Sequence, residues 1–373
     1  MSANPVPSVY QSRLDRAAAA MREQGVDVLL LTPGADMLYL TGFEHGHAAE
    51  RLLGFALRAD GSGRWACPQM NVPQVSAAAL AGHPVRGWSD AETYLPPLRD
   101  LVAGANAVAF DDDARSAFLL DLQAVAPQPR VTKASTIVRR LRARKDPAEL
   151  AAQRAAAKTV DDTIAEAQSF VVPGRSEREV DVLLRAALRR RSPESSVAFT
   201  IIASGPNAAL PHHETGDRKI EPGDVVILDF GTTLNGYSSD ITVTCSAGEP
   251  RDPEARKVYR VVWEAQQAAL AAVRPGVPCE AVDRAARGVI ERAGYGEFFT
   301  HRTGHGIGLQ IHEPPYMVGG NAEPLEVGNT FSIEPGIYLP GRFGVRLEII
   351  TACGERGAEP LNVGRPPELP AVG

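Results

Sequence analysis

HRTGHGIGLQIHEPP at 301–315, FSIEPGIY at 331–338 and GVRLEII at 344–350 decide how this chain is read. Two histidines, His305 and His312, sit seven residues apart beside glycines. Two carboxylates follow, each inside an apolar, strand-like run. Phe331, Ile333 and Ile337 surround Glu334, and Val345, Leu347, Ile349 and Ile350 surround Glu348. A strand that faces a core rarely carries a charge unless that charge is paired or bound to metal.

Working outward, GDVVILDFG (223–231) puts Asp229 behind the apolar run Val225–Leu228, and GYSSDITVT (236–244) puts Asp240 in a β-branched strand. Any one of these acids could be an ordinary surface ion pair. Four of them in apolar strands, all in the second half of the chain and accompanied by glycine-flanked histidines, point to a cation site. The donor set of Asp229, Asp240, His305, Glu334 and Glu348 suits Mn, Co or Fe, with Zn possible. Four carboxylates over-neutralise one divalent ion. Two ions roughly 3.5–4 Å apart, bridged by carboxylates, fit better.

The whole composition agrees with an ordinary globular protein: 373 residues, 44% hydrophobic and 23% charged, enough for two domains with sizeable cores. A formal net charge of −6 and the lack of a long basic run exclude a nucleic-acid surface. The local cluster Arg139, Arg140, Arg142, Arg144 and Lys145 is expected as a solvated face near an interdomain linker. Cys67, Cys245, Cys279 and Cys353 are widely spaced and form no C-x-x-C pair, which implies a reducing, cytoplasmic setting. The N-terminus lacks a charged-then-apolar signal pattern. No apolar run approaches the roughly 18 residues of a membrane span.

The first 140 residues read as an α/β unit. A helix is expected over Tyr10–Gln24, a buried strand over VDVLLLT, and a hairpin in LGFALRADGSGRWACP turning at Asp60-Gly61-Ser62-Gly63. Strands VRGW and AVAFDD then alternate with helices at Leu95–Val102 and about Ala114–Ala124, which predicts a mostly parallel or mixed sheet. Asp146-Pro147-Ala148-Glu149 and Ser176-Glu177-Arg178-Glu179 are two capping boxes that open long helices. Strands FTIIASG, DVVILDFG and YSSDITVT and two further helices follow. The second part is therefore α+β, with helices outside and a curved antiparallel sheet inside whose inner face carries the acids. The boundary divides the chain into 1–140 and 141–373.

SGPNAALPHH (204–213), GDVVILDFG, GYSSDITVT, HRTGHGIGLQIHEPP, FSIEPGIY and GVRLE, in that order, resemble the pita-bread metallopeptidase family. That family holds methionine aminopeptidase, Xaa-Pro aminopeptidase and Xaa-Pro dipeptidase (prolidase). ADMLYLTGF (35–43) and the αβ order before it resemble the creatinase-type N-terminal domain. The resemblance implies a dinuclear site held by the same five residues, Asp229, Asp240, His305, Glu334 and Glu348, with Mn2+, Co2+ or Zn2+. It implies two further histidines, His212 in preference to His213, and His312.

In the mechanism so implied, a water between two cations loses its proton near neutral pH and attacks the scissile carbonyl. His312 or His212 donates to the carbonyl oxygen, and Glu334 moves the proton to the leaving nitrogen. Arg346 is expected to brace Asp229 or Glu348, or else to form a surface ion pair. Expected substrates are proline-containing di- or oligopeptides, cleaved at the Xaa-Pro bond. Dipeptides are slightly favoured over the longer peptides of an aminopeptidase P, and a catalytically idle binding protein is the third reading. Many prolidases carry an arginine four residues after the second histidine; Tyr316 stands there instead. His47, Glu50 and Arg51, in the loop 41–52, are offered as contacts to a substrate terminus across a homodimer. His45, His83 and His301 are expected to be structural or surface histidines.

Overall fold

The structure is a computed structural model that describes residues 8–44, 50–78 and 83–373. Chain contacts divide it into an N-terminal unit, Met1–Arg142, and a C-terminal unit, Ala143–Gly373.

In the N-terminal unit, α1 (Ser8–Gln24) leads into β1 (Val28–Leu31), α2 (Ala35–Thr41), β2 (Gly54–Arg58) and β3 (Gly63–Pro68). Then come α3 (Val72–Ala78), β4 (Val85–Trp88), α4 (Leu95–Leu101), β5 (Ala107–Phe110), α5 (Ser116–Val125), β6 (Arg130–Lys133) and α6 (Val138–Ala143). The strands form one mixed sheet in the order β4-β3-β2-β1-β5-β6. β1-β2-β3 is antiparallel, and the outer pairings run parallel. The Asp60–Gly63 hairpin closes as its residues dictate, with Asp60 Oδ1 accepting from the Ser62 amide at 2.8 Å and Gly61 at φ 88°. Val28, Leu30, Val108 and Phe110 pack under Leu98, Leu101, Phe118 and Leu122 to make the core.

The C-terminal unit opens with α7 (Pro147–Ser169) and α8 (Glu177–Arg191), each started by the capping box its sequence carries. Asp146 accepts from the amides of Ala148 and Glu149, both at 2.9 Å, while Glu149 reaches back to the Asp146 amide. β7 (Ser196–Ser204), β8 (Val225–Leu234), β9 (Tyr237–Ser238) and β10 (Ile241–Ala247) follow, then α9 (Ala255–Ala272) and α10 (Cys279–Arg292). The chain closes with β11 (Gly304–Gly306), β12 (Glu313–Met317), β13 (Thr330–Ile333), β14 (Gly336–Leu339), β15 (Phe343–Arg346), β16 (Ile349–Gly354), β17 (Gly357–Pro360) and β18 (Ala371–Val372).

The expected curved sheet is built in segments: β18-β10-β8-β7 with β9 alongside β8, β12-β11-β13-β16-β17, and the ribbon β14-β15. Val160, Ile164, Val180, Leu184 and Leu188 of α7 and α8 cover the first segment, against Val226, Leu228, Phe230, Ile241 and Val243. Val258, Val262, Val282 and Ile290 of α9 and α10 cover the second segment and the ribbon, against Phe331, Ile333, Val345 and Leu347.

The cluster Arg139–Lys145 is not a solvated face throughout. Arg142 is buried in an ion pair with Asp36, and Lys145 is buried with Glu313 at 2.7 Å. An interior site tolerates a cation only when an anion of matching geometry is supplied, and these two carboxylates supply it.

Replacing Asp146 by alanine removes the cap of the 23-residue α7. The expected loss is about 1 kcal/mol and a fall in Tm of about 2–4 °C, read by thermal melting.

Candidate metal centre

Period-2 alternation decides where the acids point. Val226, Leu228 and Phe230 of β8 lie in the helix-covered core, so Asp229 faces the other way. In β10, Ile241, Val243 and Cys245 take the core side, which leaves Thr242 and Thr244 on the inner face, in phase with Asp240 just before the strand. Phe331 and Ile333 of β13 do the same for Ser332 and Glu334. Only Asp229 lies inside a strand. Asp240, Glu334 and Glu348 stand at strand ends, a correction to the reading that placed each within one. Pro335 lacks the amide proton that would continue the ladder past Glu334.

His305 sits in β11 between two glycines. A Cβ on Gly304 would come within 1.9 Å of the Ser332 carbonyl oxygen, and one on Gly306 within 2.3 Å of that of Pro314. Bare backbone at both positions lets β11 lie between β12 and β13. The His305 amide donates to Ser332 Oγ at 3.0 Å, and that hydroxyl donates to Glu334 Oε1 at 3.2 Å. His305 Nδ1 lies 3.1 Å from the Gly306 carbonyl, so with the proton there the Nε2 lone pair turns toward Glu334 Oε1 at 3.4 Å and Asp240 Oδ2 at 3.9 Å.

Asp240, His305 and Glu348 each offer a donor atom, all within 4.8 Å of one another. Asp229 Oδ1, Asp240 Oδ1 and Glu348 Oε1 are buried oxygens with no hydrogen-bond partner. Three such oxygens on residues that line one cavity are what a cation would satisfy. Burial, reinforced by Glu348, Asp229 and Glu334, pushes the Asp240 carboxyl well above its usual range. Burial and the charges of Glu334 and Asp229 do the same to Glu348. Burial drives Glu334 up to about 7, and burial, with His312 adding to it, drives His305 down to about 3.

Arg346 holds the arrangement together from beneath. Its Nη2 meets Asp229 Oδ2 at 2.6 Å, its Nε donates to Thr242 Oγ1 at 3.1 Å, and Thr242 Oγ1 donates to Glu348 Oε2 at 2.8 Å. Its Nη1 donates to the Pro211 carbonyl at 3.2 Å, next to His212, and to Tyr338 Oη at 2.9 Å. Having accepted from Arg346, Tyr338 donates to His301 Nε2 at 2.8 Å, while His301 Nδ1 donates to the Arg302 carbonyl at 2.7 Å. His301 is thereby fixed as the neutral Nδ1–H form, and burial, aided by the Arg346 charge, holds its pKa down at about 4.

These residues line a cavity of about 780 Å3 together with Phe199, Ile201, Gln310 and Ile311. Asp229, Asp240, Glu334, Glu348, His305, His212, His312 and Arg346 are all on its wall. His213 is tied away from it by Glu177, at 2.8 Å, a buried carboxylate that also accepts from Ser204 and Asn207. Burial and then the charge of Arg302 lower the pKa of His312.

Several expected site residues are elsewhere. Tyr316 is not on the wall; its ring lies under the guanidinium of Arg302, 4.6 Å from the centroid. Arg51 pairs with Asp90 at 2.9 Å within the N-terminal unit, Glu50 is exposed there, and His47 lies outside the described residues. His83, as expected, has a structural role, its Nδ1 accepting from the Gly63 amide at 3.1 Å. His301, read as structural or surface, lines the cavity. Arg302 was missed altogether, although its place three residues before a glycine-flanked histidine was a usable signal.

Residues 151–355 match the model of metallopeptidase family M24, and residues 13–144 that of the creatinase/prolidase N-terminal domain. The chain belongs to metallopeptidase family M24. It is 41% identical over 361 residues to a probable dipeptidase PepE of Mycobacterium tuberculosis, covering 95% of this chain and 94% of that one. Among solved structures, the dipeptidase PepE of Mycobacterium ulcerans superposes with a TM-score of 0.90 at 40% identity, covering 98% of both chains. A prolidase of Thermococcus sibiricus gives 0.91 at 34% identity, over 97% of this chain and 98% of that one. An X-Pro aminopeptidase of Thermotoga maritima gives 0.83 at 30% identity, over 96% and 99%. The chain is thus a metal-dependent peptidase with the pita-bread fold. No helix among the described residues is long and apolar enough to cross a membrane.

The raised carboxyl pKa values fix the sign of a pH effect on this metallopeptidase. Without metal, the folded state keeps a proton on Glu334 up to about 7, against 4.5 for a free glutamate. That contribution is complete below pH 4.5 and is lost as pH rises through about 7. A divalent ion must displace those protons, so its binding strengthens over the same window. The gain in Tm from Mn2+ added to chelator-treated protein should be larger at pH 8 than at pH 5.5; equal gains would contradict the ligand assignment.

Proposed function

We propose that this chain hydrolyses Xaa-Pro peptide bonds using two divalent ions, with Mn2+ the best match to its donors, and favours dipeptides. The observation that carries the reading is that Asp229, Asp240, His305, Glu334 and Glu348 line one cavity, and that three of the carboxylates have a buried oxygen without a hydrogen-bond partner. One acid is already neutralised by Arg346, and the remaining carboxylates with one imidazole suit a pair of hard-to-borderline ions. The names of the relatives, dipeptidase and prolidase, supply the substrate class.

The metal ions would supply two things: a water acidic enough to attack near neutral pH, and polarisation of the scissile carbonyl. The chain's own residues do the rest. Glu334, held by Ser332, takes the proton released as water oxygen bonds to the carbonyl carbon. It delivers that proton to the proline nitrogen as the C–N bond breaks. His312 and His212, on the open side of the cavity, donate to the oxyanion. Proline's nitrogen is tertiary, so a peptidase that grips the scissile N–H loses a contact at Xaa-Pro, whereas attack directed through the carbonyl does not. Phe199 and Ile201 give the apolar wall that a pyrrolidine ring needs.

Purified protein supplied with Mn2+ should release alanine and proline from Ala-Pro, faster than it cleaves Ala-Pro-Gly or Ala-Gly, with two ions per chain by elemental analysis. Glu334→Gln should lower kcat by about 10²–10⁴-fold. One ion per chain would remove the dinuclear reading, and equal rates on Ala-Gly would remove the proline requirement. A faster rate on Ala-Pro-Gly than on Ala-Pro would make the protein an aminopeptidase P.

A further inference from the structure

Two arginines line the cavity, and they differ in one respect. Arg346 is already engaged, with four of its five donors on Asp229, Thr242, Tyr338 and Pro211. Arg302 has no carboxylate within 4.0 Å of its guanidinium among the described residues. It is nevertheless held in place. Its carbonyl is fixed by His301 Nδ1 at 2.7 Å, and its guanidinium carbon sits 4.6 Å from the centroid of the Tyr316 ring. Stacking on an aromatic face stabilises a guanidinium without using its N–H donors, which stay free for a planar anion.

The location is specific as well. Arg302 stands two residues before β11, and Tyr316 is the register partner of His305 across β11 and β12. Cation, ring and metal-ligand candidate are therefore parts of one small backbone unit. The charge of Arg302 acts on His312, His305 and Glu334, which places it close to the reacting groups.

We propose that Arg302, seated on Tyr316, binds the free carboxylate that ends a two-residue substrate. This rests on the Xaa-Pro reading above and specifies it. In a dipeptide ending in proline, the carboxylate hangs from the Cα bonded to the scissile nitrogen, so its anchor must stand beside the centre that attacks the carbonyl. Carboxylate and guanidinium then form two parallel N–H···O bonds. A longer peptide puts a neutral amide at that position and leaves the guanidinium without a counter-ion, which disfavours it. Tyr316 contributes as a positioning residue: its ring sets the plane in which the guanidinium lies.

The test compares Ala-Pro with Ala-Pro-amide, which differ only in the charge of the terminus, on the full chain with Mn2+. The wild type should prefer Ala-Pro. Arg302→Met should lower kcat/KM for Ala-Pro by about 10–100-fold, chiefly through KM, and that for Ala-Pro-amide by less than about threefold. Arg302→Lys should recover part of the loss, and Tyr316→Leu should raise KM for Ala-Pro while sparing the amide. Thermal melts confirm that each variant is folded, and the wild-type comparison needs no variant at all. A wild type indifferent to the terminus, or an Arg302→Met variant that loses both substrates equally, overturns the proposal while leaving Xaa-Pro hydrolysis standing. A wild type that cleaves Ala-Gly and neither proline substrate overturns both.

Discussion

Like charges forced together in a dry place are the constraint on which the C-terminal unit depends. Asp229, Asp240, Glu334 and Glu348 line one cavity, and the two strongest effects on Asp240 and Glu348 are burial and the field of another of these carboxylates. Such a cluster survives only if the structure supplies compensating positive charge and hydrogen bonds. Arg346 supplies one fixed cation, and Thr242 and Ser332 supply hydroxyl donors. What remains uncompensated is three buried oxygens without a hydrogen-bond partner. Metal dependence and the raised Glu334 follow from that burial and that imbalance, while His305 is held neutral by burial and by His312.

The hydrogen-bond network around Arg346 joins what would otherwise be separate features. One guanidinium touches an acid of β8, a threonine of β10, the tyrosine of β14 and the carbonyl before His212. Through Thr242 it also orients Glu348, and through Tyr338 it sets the tautomer of His301. Five donors in a rigid fork can do this, and a lysine ammonium could not.

Much of this was legible along the chain. The capping boxes at Asp146 and Ser176 are local, and both helices begin where those residues dictate. The four acids that share the cavity wall were legible because a charge in an apolar run is conspicuous. Local reading failed where the deciding partner was distant. Arg142 and Lys145 looked solvated because Asp36 and Glu313, which bury with them, lie 106 and 168 residues away. His301 looked ordinary because its partner Tyr338 is 37 residues on. Tyr316 was read as a missing arginine. Its ring lies under Arg302, a contact between β12 and the segment before β11 that no spacing rule describes.

The donors do not come from one sheet segment. Asp229 and Asp240 belong with β8 and β10, whereas His305 and Glu334 belong with β11 and β13, and Glu348 enters β16 after its amide has bonded to the Thr242 carbonyl at 3.0 Å. An ion held at their meeting point, as proposed above, would be a rivet through two plates as well as a reagent. Withdrawing it would free the plates to part along that seam, so protection of the surrounding amides against exchange, and resistance to proteolytic nicking there, become properties of the metal as much as of the polypeptide.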